Sequence, residues 1–268
     1  MRKTNLLKLF MAGALTLTML EGCGSSATSE AVKETSAVET ESTTVESTEA
    51  ETTEAVTEAE TTEAAEDESA QAQQLLMDLT GSYQELWPVI LADEYQQTWL
   101  ENCKALVGEE NAEAAYEKLA SMVTGTIYGE EAVKAYADGN GVYDCSFTEG
   151  VATLEFDGSA SEIKGYDKNG EELLDHTYHF VGMEEIGGLY EYESDDADSG
   201  EFTYFCIAPD TSDTTYHIEL RYGSNLEELG QYDAGSYAYW LGSGISTDCD
   251  ETMIENCIKL FCEENLAQ

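Results

Sequence analysis

The sequence predicts an α+β, mostly β fold: an antiparallel β-meander or barrel with helices packed on it from both ends of the chain. Three observations predict it. From Thr124 onward, Gly-rich turns separate short runs rich in Val, Tyr, Phe and Thr, which is the spacing of an antiparallel meander or barrel. Ahead of them, apolar residues between Ala72 and Val123 recur near helical spacing. Behind them, Asp250 to Leu266 carries an apolar stripe of Met253, Ile254, Cys257, Ile258 and Phe261.

The chain does not begin as domain material. Arg2, Lys3 and Lys8 form a positive n-region, Leu6 to Leu20 is mostly apolar, and Leu20-Glu21-Gly22-Cys23 follows. This is the order of a secretory signal peptide over residues 1–22. The Leu-x-Gly-Cys ending resembles a bacterial lipobox, in which cleavage before Cys23 leaves its thiol to carry lipid (palmitate). That implies an extracytoplasmic protein anchored by lipid to the cell membrane. The alternative is an ordinary signal peptide with an incidental Cys23. No later run is long and apolar enough to span a bilayer.

Residues 23–70 are built almost wholly from Ser, Thr, Glu, Ala and Val, with 14 acidic side chains against Lys33 alone. Such a segment buries too little apolar surface to offset its chain entropy and is expected to be a disordered stalk. Self-repulsion stretches it, and flexible-coil scaling gives a reach of roughly 40 Å or more. The folded domain is expected over residues 71–268. Of the 56 acidic and 11 basic side chains in the chain, 41 and seven fall there, a net charge of −34. Nucleic acid and anionic membrane surfaces are excluded as partners by that repulsion, whereas a cation is compatible with it.

Within the domain, Ala72 to about Leu91 reads as one amphipathic helix, with Leu75, Leu76, Leu79, Tyr83, Leu86 and Trp87 near helical spacing and Pro88 breaking or re-aiming it. Glu94 to Val107 and Asn111 to Val123 read as two more, with Asn111 as an N-cap. The strands expected next are Gly141 to Phe147, Val151 to Phe156, Ile163 to Tyr166, Leu173 to Val181, Leu189 to Glu193, Phe202 to Cys206 and Thr215 to Tyr222. Glu149-Gly150 and Asn169-Gly170 read as hairpin turns. Ser224 to Leu229 is a short capped helix and Asp250 to Leu266 the closing one.

The stretch Phe202 to Gly223 concentrates the chemistry. Two strands flank the polar turn Pro209 to Asp213, and in the second, Tyr216, Ile218, Leu220 and Tyr222 alternate with His217, Glu219 and Arg221. One of the 3 histidines thus stands beside a carboxylate and a guanidinium.

Here the domain resembles the ZinT (YodA) family, a lipocalin-like (calycin-type) barrel with flanking helices found in bacterial zinc-uptake systems. Asp78-Leu79-Thr80-Gly81-Ser82-Tyr83-Gln84 with Leu86, Trp87 and Pro88 is similar to that family's opening motif. Gly150 to Phe156 resembles its first hairpin. Tyr216-His217-Ile218 before Gly223, then Leu226 to Leu229 and Tyr237 to Trp240, resembles its His-x-His strand, short helix and aromatic segment. The resemblance implies a lipocalin-like barrel, zinc as the cofactor and a metal-importer component as a partner. The family's zinc site uses a histidine before the polar turn and two in His-x-His after it. Here those positions read Phe205 and Thr215-Tyr216-His217, so only His217 remains. A tight zinc site needs three well-placed ligands.

Substitute ligands are few. His176 and His179 lie three apart, which on a strand puts them on opposite faces, and Cys206 is expected to point away from the face of Phe205. The metal-site candidate is therefore a weak or degenerate one using His217, Glu219 and one of His176 or His179. A second cluster, Asp195, Asp196 and Asp198, has a spacing that can supply oxygen ligands to calcium, but it departs from the EF-hand pattern. A solvated turn is the plainer reading.

Cys103, Cys145, Cys206, Cys249, Cys257 and Cys262 permit disulfides outside the cytoplasm, with Cys249 able to reach Cys257 or Cys262. Buried free thiols are the alternative. No Gly-x-Ser-x-Gly elbow, P-loop or His-Glu-x-x-His occurs, and the chain reads as a non-enzyme. Two functions compete. One is a lipid-anchored ZinT-like module with weak divalent-metal binding linked to metal uptake. The other is a lipocalin-like small-molecule binder or structural surface domain with no metal.

Overall fold

In the computed structural model, which describes residues 67–184, 186–208 and 214–267, eight antiparallel strands close into a barrel in strict chain order. They are β1 (Gly81–Glu85), β2 (Thr153–Asp157), β3 (Glu162–Tyr166), β4 (Glu172–Met183), β5 (Tyr190–Ser194), β6 (Tyr204–Ile207), β7 (His217–Gly223) and β8 (Gly242–Ser246). The helices are α1 (67–78), α2 (Leu86–Ile90), α3 (Gln96–Val107), α4 (Ala112–Met122), α5 (Glu130–Ala137), α6 (Leu226–Leu229) and α7 (Glu251–Leu266). The expected leader, Cys23, most of the stalk and the polar turn at 209–213 lie outside the described residues.

Period-2 alternation builds the wall. In β2, Leu154 and Phe156 point inward while Glu155 and Asp157 are exposed. Cross-strand pairs carry that face around the barrel: Phe156 meets Ile163, Tyr192 meets Phe205, and Phe205 meets Tyr222. The interior is filled by these rings together with Tyr83, Tyr178 and Leu220. Between β3 and β4 the chain reverses at Asn169-Gly170, as expected. Gly170 takes φ +81, and the Asp167 carboxylate accepts the N–H groups of Asn169 and Glu171 at 2.8 Å each.

A second apolar cluster lies outside the barrel. Leu86, Trp87 and Ile90 of α2, Trp99 and Cys103 of α3, Leu119 of α4, and Ile254, Ile258 and Phe261 of α7 pack together against Ile245 of β8. Trp87 and Trp99 meet Phe261 edge-on, with ring centroids 4.7 and 5.9 Å apart. Trp99 Nε1 donates to the Ile90 carbonyl at 2.6 Å. Because the wall is filled within and covered without, β7 and β8 are buried on both faces. Asp250 caps α7, its side chain accepting from Met253 N at 3.0 Å. Asp250→Ala is expected to cost about 1 kcal/mol in urea denaturation.

Several expectations are corrected. The single helix over Ala72 to Leu91 is instead α1, β1 and α2: Gly81, at φ +147, ends helical continuation and starts a strand. Pro88 is the third residue of α2, where a missing N–H costs nothing because first-turn donors have no intrahelical partner. Gly141 to Phe147 is not a strand. It makes isolated bridges at Asp144 only, where the carboxylate turns back to accept from the Ser146 N–H and hydroxyl. Glu149-Gly150 is left-handed at both residues, φ +54 and +80, but leads from that irregular segment into β2 rather than closing a hairpin. Asn111 precedes α4 without capping it; its Nδ2 donates backward to the Val107 carbonyl at 3.0 Å. Tyr216 stands off the β7 alternation, at φ +49 and exposed.

Candidate functional site

The register of β4 against β5 joins two clusters that the sequence keeps apart. His179 pairs with Glu193 and Tyr178 with Ser194, so the residues just beyond β5 come level with His176. Asp195 N donates to the Thr177 carbonyl at 2.9 Å, extending the ladder. Asp195 and Asp196 then diverge. Asp195 Oδ1 lies 2.8 Å from His179 Nδ1, and its Oδ2 accepts from Thr177 Oγ1 at 3.1 Å. Asp196 Oδ2 lies 3.0 Å from His176 Nδ1. The loop behind them is fixed by Ser199, whose hydroxyl bonds Ser194 Oγ at 2.7 Å and the Asp196 carbonyl at 2.9 Å.

The two imidazoles face opposite ways, as the three-residue spacing requires. His176 pairs across the wall with Ile163 and shares the face of Tyr178, whose ring meets it edge-on at 6.5 Å. His179 is on the outer face, with 54% of its side chain exposed against 17% for His176. Asp198 is exposed on the loop and lies beyond both pairs. The expected calcium ligands therefore do not converge: Asp195 and Asp196 are each taken up by a different histidine.

His217 and Glu219 lie elsewhere. On β7, Ile218, Leu220 and Tyr222 line the barrel and His217, Glu219 and Arg221 face outward, yet all six are buried. α7 covers the corner that holds His217, and the end of α6 with the segment after it covers Arg221, while Glu219 lies level with Ser243 of β8. His217 Nδ1 is 2.8 Å from Thr215 Oγ1, and α7 reaches the same corner through Asn256 Nδ2 on the Thr214 carbonyl at 2.9 Å and Cys257 Sγ on the Thr215 carbonyl at 3.1 Å. Three strand spacings separate β4 from β7, about 14 Å around the wall. The structure thus does not bring His217 and Glu219 together with His176 or His179. Phe205 pairs with Tyr222 and points into the barrel, whereas Cys206 pairs with Arg221 and shares the outer face of His217. Among the described residues, no group of three or more His, Cys, Asp or Glu side chains is arranged to hold a metal ion.

A cavity of about 300 Å³ lies outside the barrel, between α2 and the segments at 123–125 and 145–146. Glu85, Trp87, Pro88 and Cys145 are among its lining residues. Glu85 Oε1 accepts from Phe147 N at 2.9 Å. Burial pushes the Cys145 thiol pKa up, and the charges of Glu219 and Asp144 add to that. A thiol held protonated in this way is a poor nucleophile at neutral pH.

The His–Asp pairing was the part of the site that sequence reasoning missed. Its signal was the pair of Asp residues following β5, one strand from the two histidines.

A scan of protein-family models finds no match, and a search of curated proteins finds none. Among the described residues no helix is long and apolar enough to cross a membrane. Among solved structures, the Zn(II)-bound ZinT-like domain of Streptococcus pneumoniae AdcA aligns with a TM-score of 0.44 at 13% identity, over 70% of this chain and 89% of that one. Zn(II)-bound AdcA from Streptococcus pneumoniae aligns with a TM-score of 0.40 at 15% identity, over 70% of this chain and 35% of that one.

Proposed function

We propose that the chain is an extracytoplasmic binding module, anchored by lipid at Cys23 and held off the membrane by its acidic stalk. In this reading it binds divalent zinc weakly at the β4–β5 edge, in the service of a metal importer, and catalyses nothing. One observation carries the reading: His176 and His179 each present Nδ1 to a carboxylate, Asp196 at 3.0 Å and Asp195 at 2.8 Å. A carboxylate on Nδ1 holds the proton there and leaves the Nε2 lone pair for a metal, the arrangement by which metal-ligating histidines are oriented. Because the two imidazoles lie on opposite faces, each offers one protein nitrogen, with water filling the remaining zinc positions. Weak binding follows, with Kd of about 0.1–1 mM. Calorimetric titration with zinc is expected to show that affinity and to lose it in the His176→Ala/His179→Ala double variant. Heat that persists unchanged in the variant reports diffuse attraction to the acidic surface and overturns the assignment.

A second reading, a structural surface domain without a ligand, is favoured by the packed interior. Tyr178, Tyr192, Phe205 and Tyr222 are buried against one another where a small-molecule-binding barrel would be hollow. The absence of any zinc heat up to millimolar concentrations selects it.

A further inference from the structure

Two helices of the outer cluster bring a pair of cysteines together across 159 residues of sequence. Cys103 of α3 and Cys262 of α7 are both wholly buried, and their Sγ atoms lie 3.9 Å apart. All six described cysteines are thiols in the structure, and no other two of them are in sulfur–sulfur contact. Cys257, five residues earlier on α7, is turned to the Thr215 carbonyl, and Cys145 lies on the irregular segment beside the α2 cavity. Neither Cys249–Cys257 nor Cys249–Cys262, the pairings that sequence proximity favoured, is formed.

We propose that Cys103 and Cys262 form a disulfide that bolts α7 to α3 once the chain is outside the cytoplasm. This rests on the extracytoplasmic reading of the leader. The sulfurs need to close by about 1.9 Å to reach bonding distance, a movement shared between two side-chain rotations. Both cysteines belong to the outer apolar cluster that also holds Trp87, Trp99 and Phe261, and their complete burial shields the formed bond from reductants.

The chemistry is thiol–disulfide exchange with a disulfide-bearing oxidant, a thiol oxidoreductase or glutathione disulfide. Whichever of the two sulfurs is first exposed as a thiolate opens the oxidant's disulfide, forming a mixed disulfide and releasing one thiol. The other, deprotonated in its turn, attacks the Sγ of the first and expels the second thiol. Two electrons pass to the oxidant and the two cysteine protons end on its thiols. Burial of both sulfurs places the reaction before α7 docks, or during its local opening.

The test is peptide mapping of the full chain by non-reducing mass spectrometry, after isolation from the bacterial envelope and again after refolding with glutathione disulfide. A Cys103–Cys262 linked pair is expected in both. Reduction of the linked chain is expected to lower its melting temperature by about 10 °C, and Cys103→Ser and Cys262→Ser to match the reduced chain. Free Cys103 and Cys262 after glutathione refolding, or a different pairing, overturn the proposal. Free thiols in the isolated chain that close in glutathione support the pairing and tell against the extracytoplasmic location instead.

Discussion

Arg221→Ala is expected to cost about 3–5 kcal/mol in urea denaturation. The side chain is entirely buried on the outer face of β7. Its Nη1 donates to the Leu229 carbonyl, its Nη2 to the Tyr237 carbonyl, and both reach the Gln231 carbonyl at 3.4 Å. The guanidinium carbon sits 4.5 Å over the Tyr232 ring. These contacts all go to the last residue of α6 and the segment between α6 and β8. That segment has no strand of its own among the described residues, so Arg221 stands in for the ladder that would otherwise hold it. Burial pulls the guanidinium pKa down, with Tyr232 acting in the opposite direction. Alanine leaves a cavity and three inward-facing carbonyls without their donor, each of which costs about 1–3 kcal/mol when buried. Arg221→Lys keeps the charge but not the planar fork, and is expected to recover less than half of the loss. A cost below about 1 kcal/mol for alanine would show that Trp240 and Tyr237 hold the segment unaided.

Most of the barrel was legible because most of it obeys alternation, and the failures have local causes. β2 to β7 each carry a periodic apolar face, and the expected bounds differ from the observed ones by a residue or two. β1 was hidden because Tyr83 stands at helical spacing from Leu79 and Leu86, so the same side chains satisfy either period. β8 was hidden because its sequence, Gly-Ser-Gly-Ile-Ser, has almost no side chains with which to show one. Its glycines are required by packing: a Cβ on Gly244 would come within 2.9 Å of both Ile218 and Phe147. A strand chosen for the room it leaves carries no hydrophobic pattern. The site was legible only in pieces. His176 and His179 were visible as rare residues, and Asp195, Asp196 and Asp198 as an acidic turn, but the register of β4 on β5 joins them, and register is a property of the pair of strands. The contact of Cys103 with Cys262 was out of reach for the same reason, since it depends on how α7 returns to α3.

Alkaline titration is expected to unfold the domain cooperatively between about pH 10 and 12. Burial raises the pKa of Tyr83 to about 12, with Tyr216 adding to the shift, and raises that of Tyr136 to about 12, with Tyr239 and Cys145 adding. Tyr178, Tyr192 and Tyr222 inside the barrel are pushed further in the same direction, again first by burial. The sign follows from the raised values. Below the unfolded-state pKa of about 10 both states hold the phenolic protons, and the contribution of these residues is fully present. Above it the unfolded chain releases protons that the folded chain retains, so stability falls by about 1.4 kcal/mol per pH unit for each such tyrosine. The four inside the barrel, Tyr83, Tyr178, Tyr192 and Tyr222, together remove about 5–6 kcal/mol per pH unit, which exhausts a typical domain stability of about 5–15 kcal/mol within one to three units. Tyrosinate absorbance and loss of circular dichroism are therefore expected to rise in one step. A gradual absorbance change centred near pH 10 with secondary structure intact would overturn the prediction. Tyr178→Phe separates the causes: it removes the hydroxyl that donates to the Phe202 carbonyl at 2.7 Å, lowering stability at neutral pH. It also removes one ionising group from the unfolded chain, so the alkaline slope becomes shallower by about 1.4 kcal/mol per pH unit. A purely structural role for Tyr178 would lower stability by the same amount at every pH.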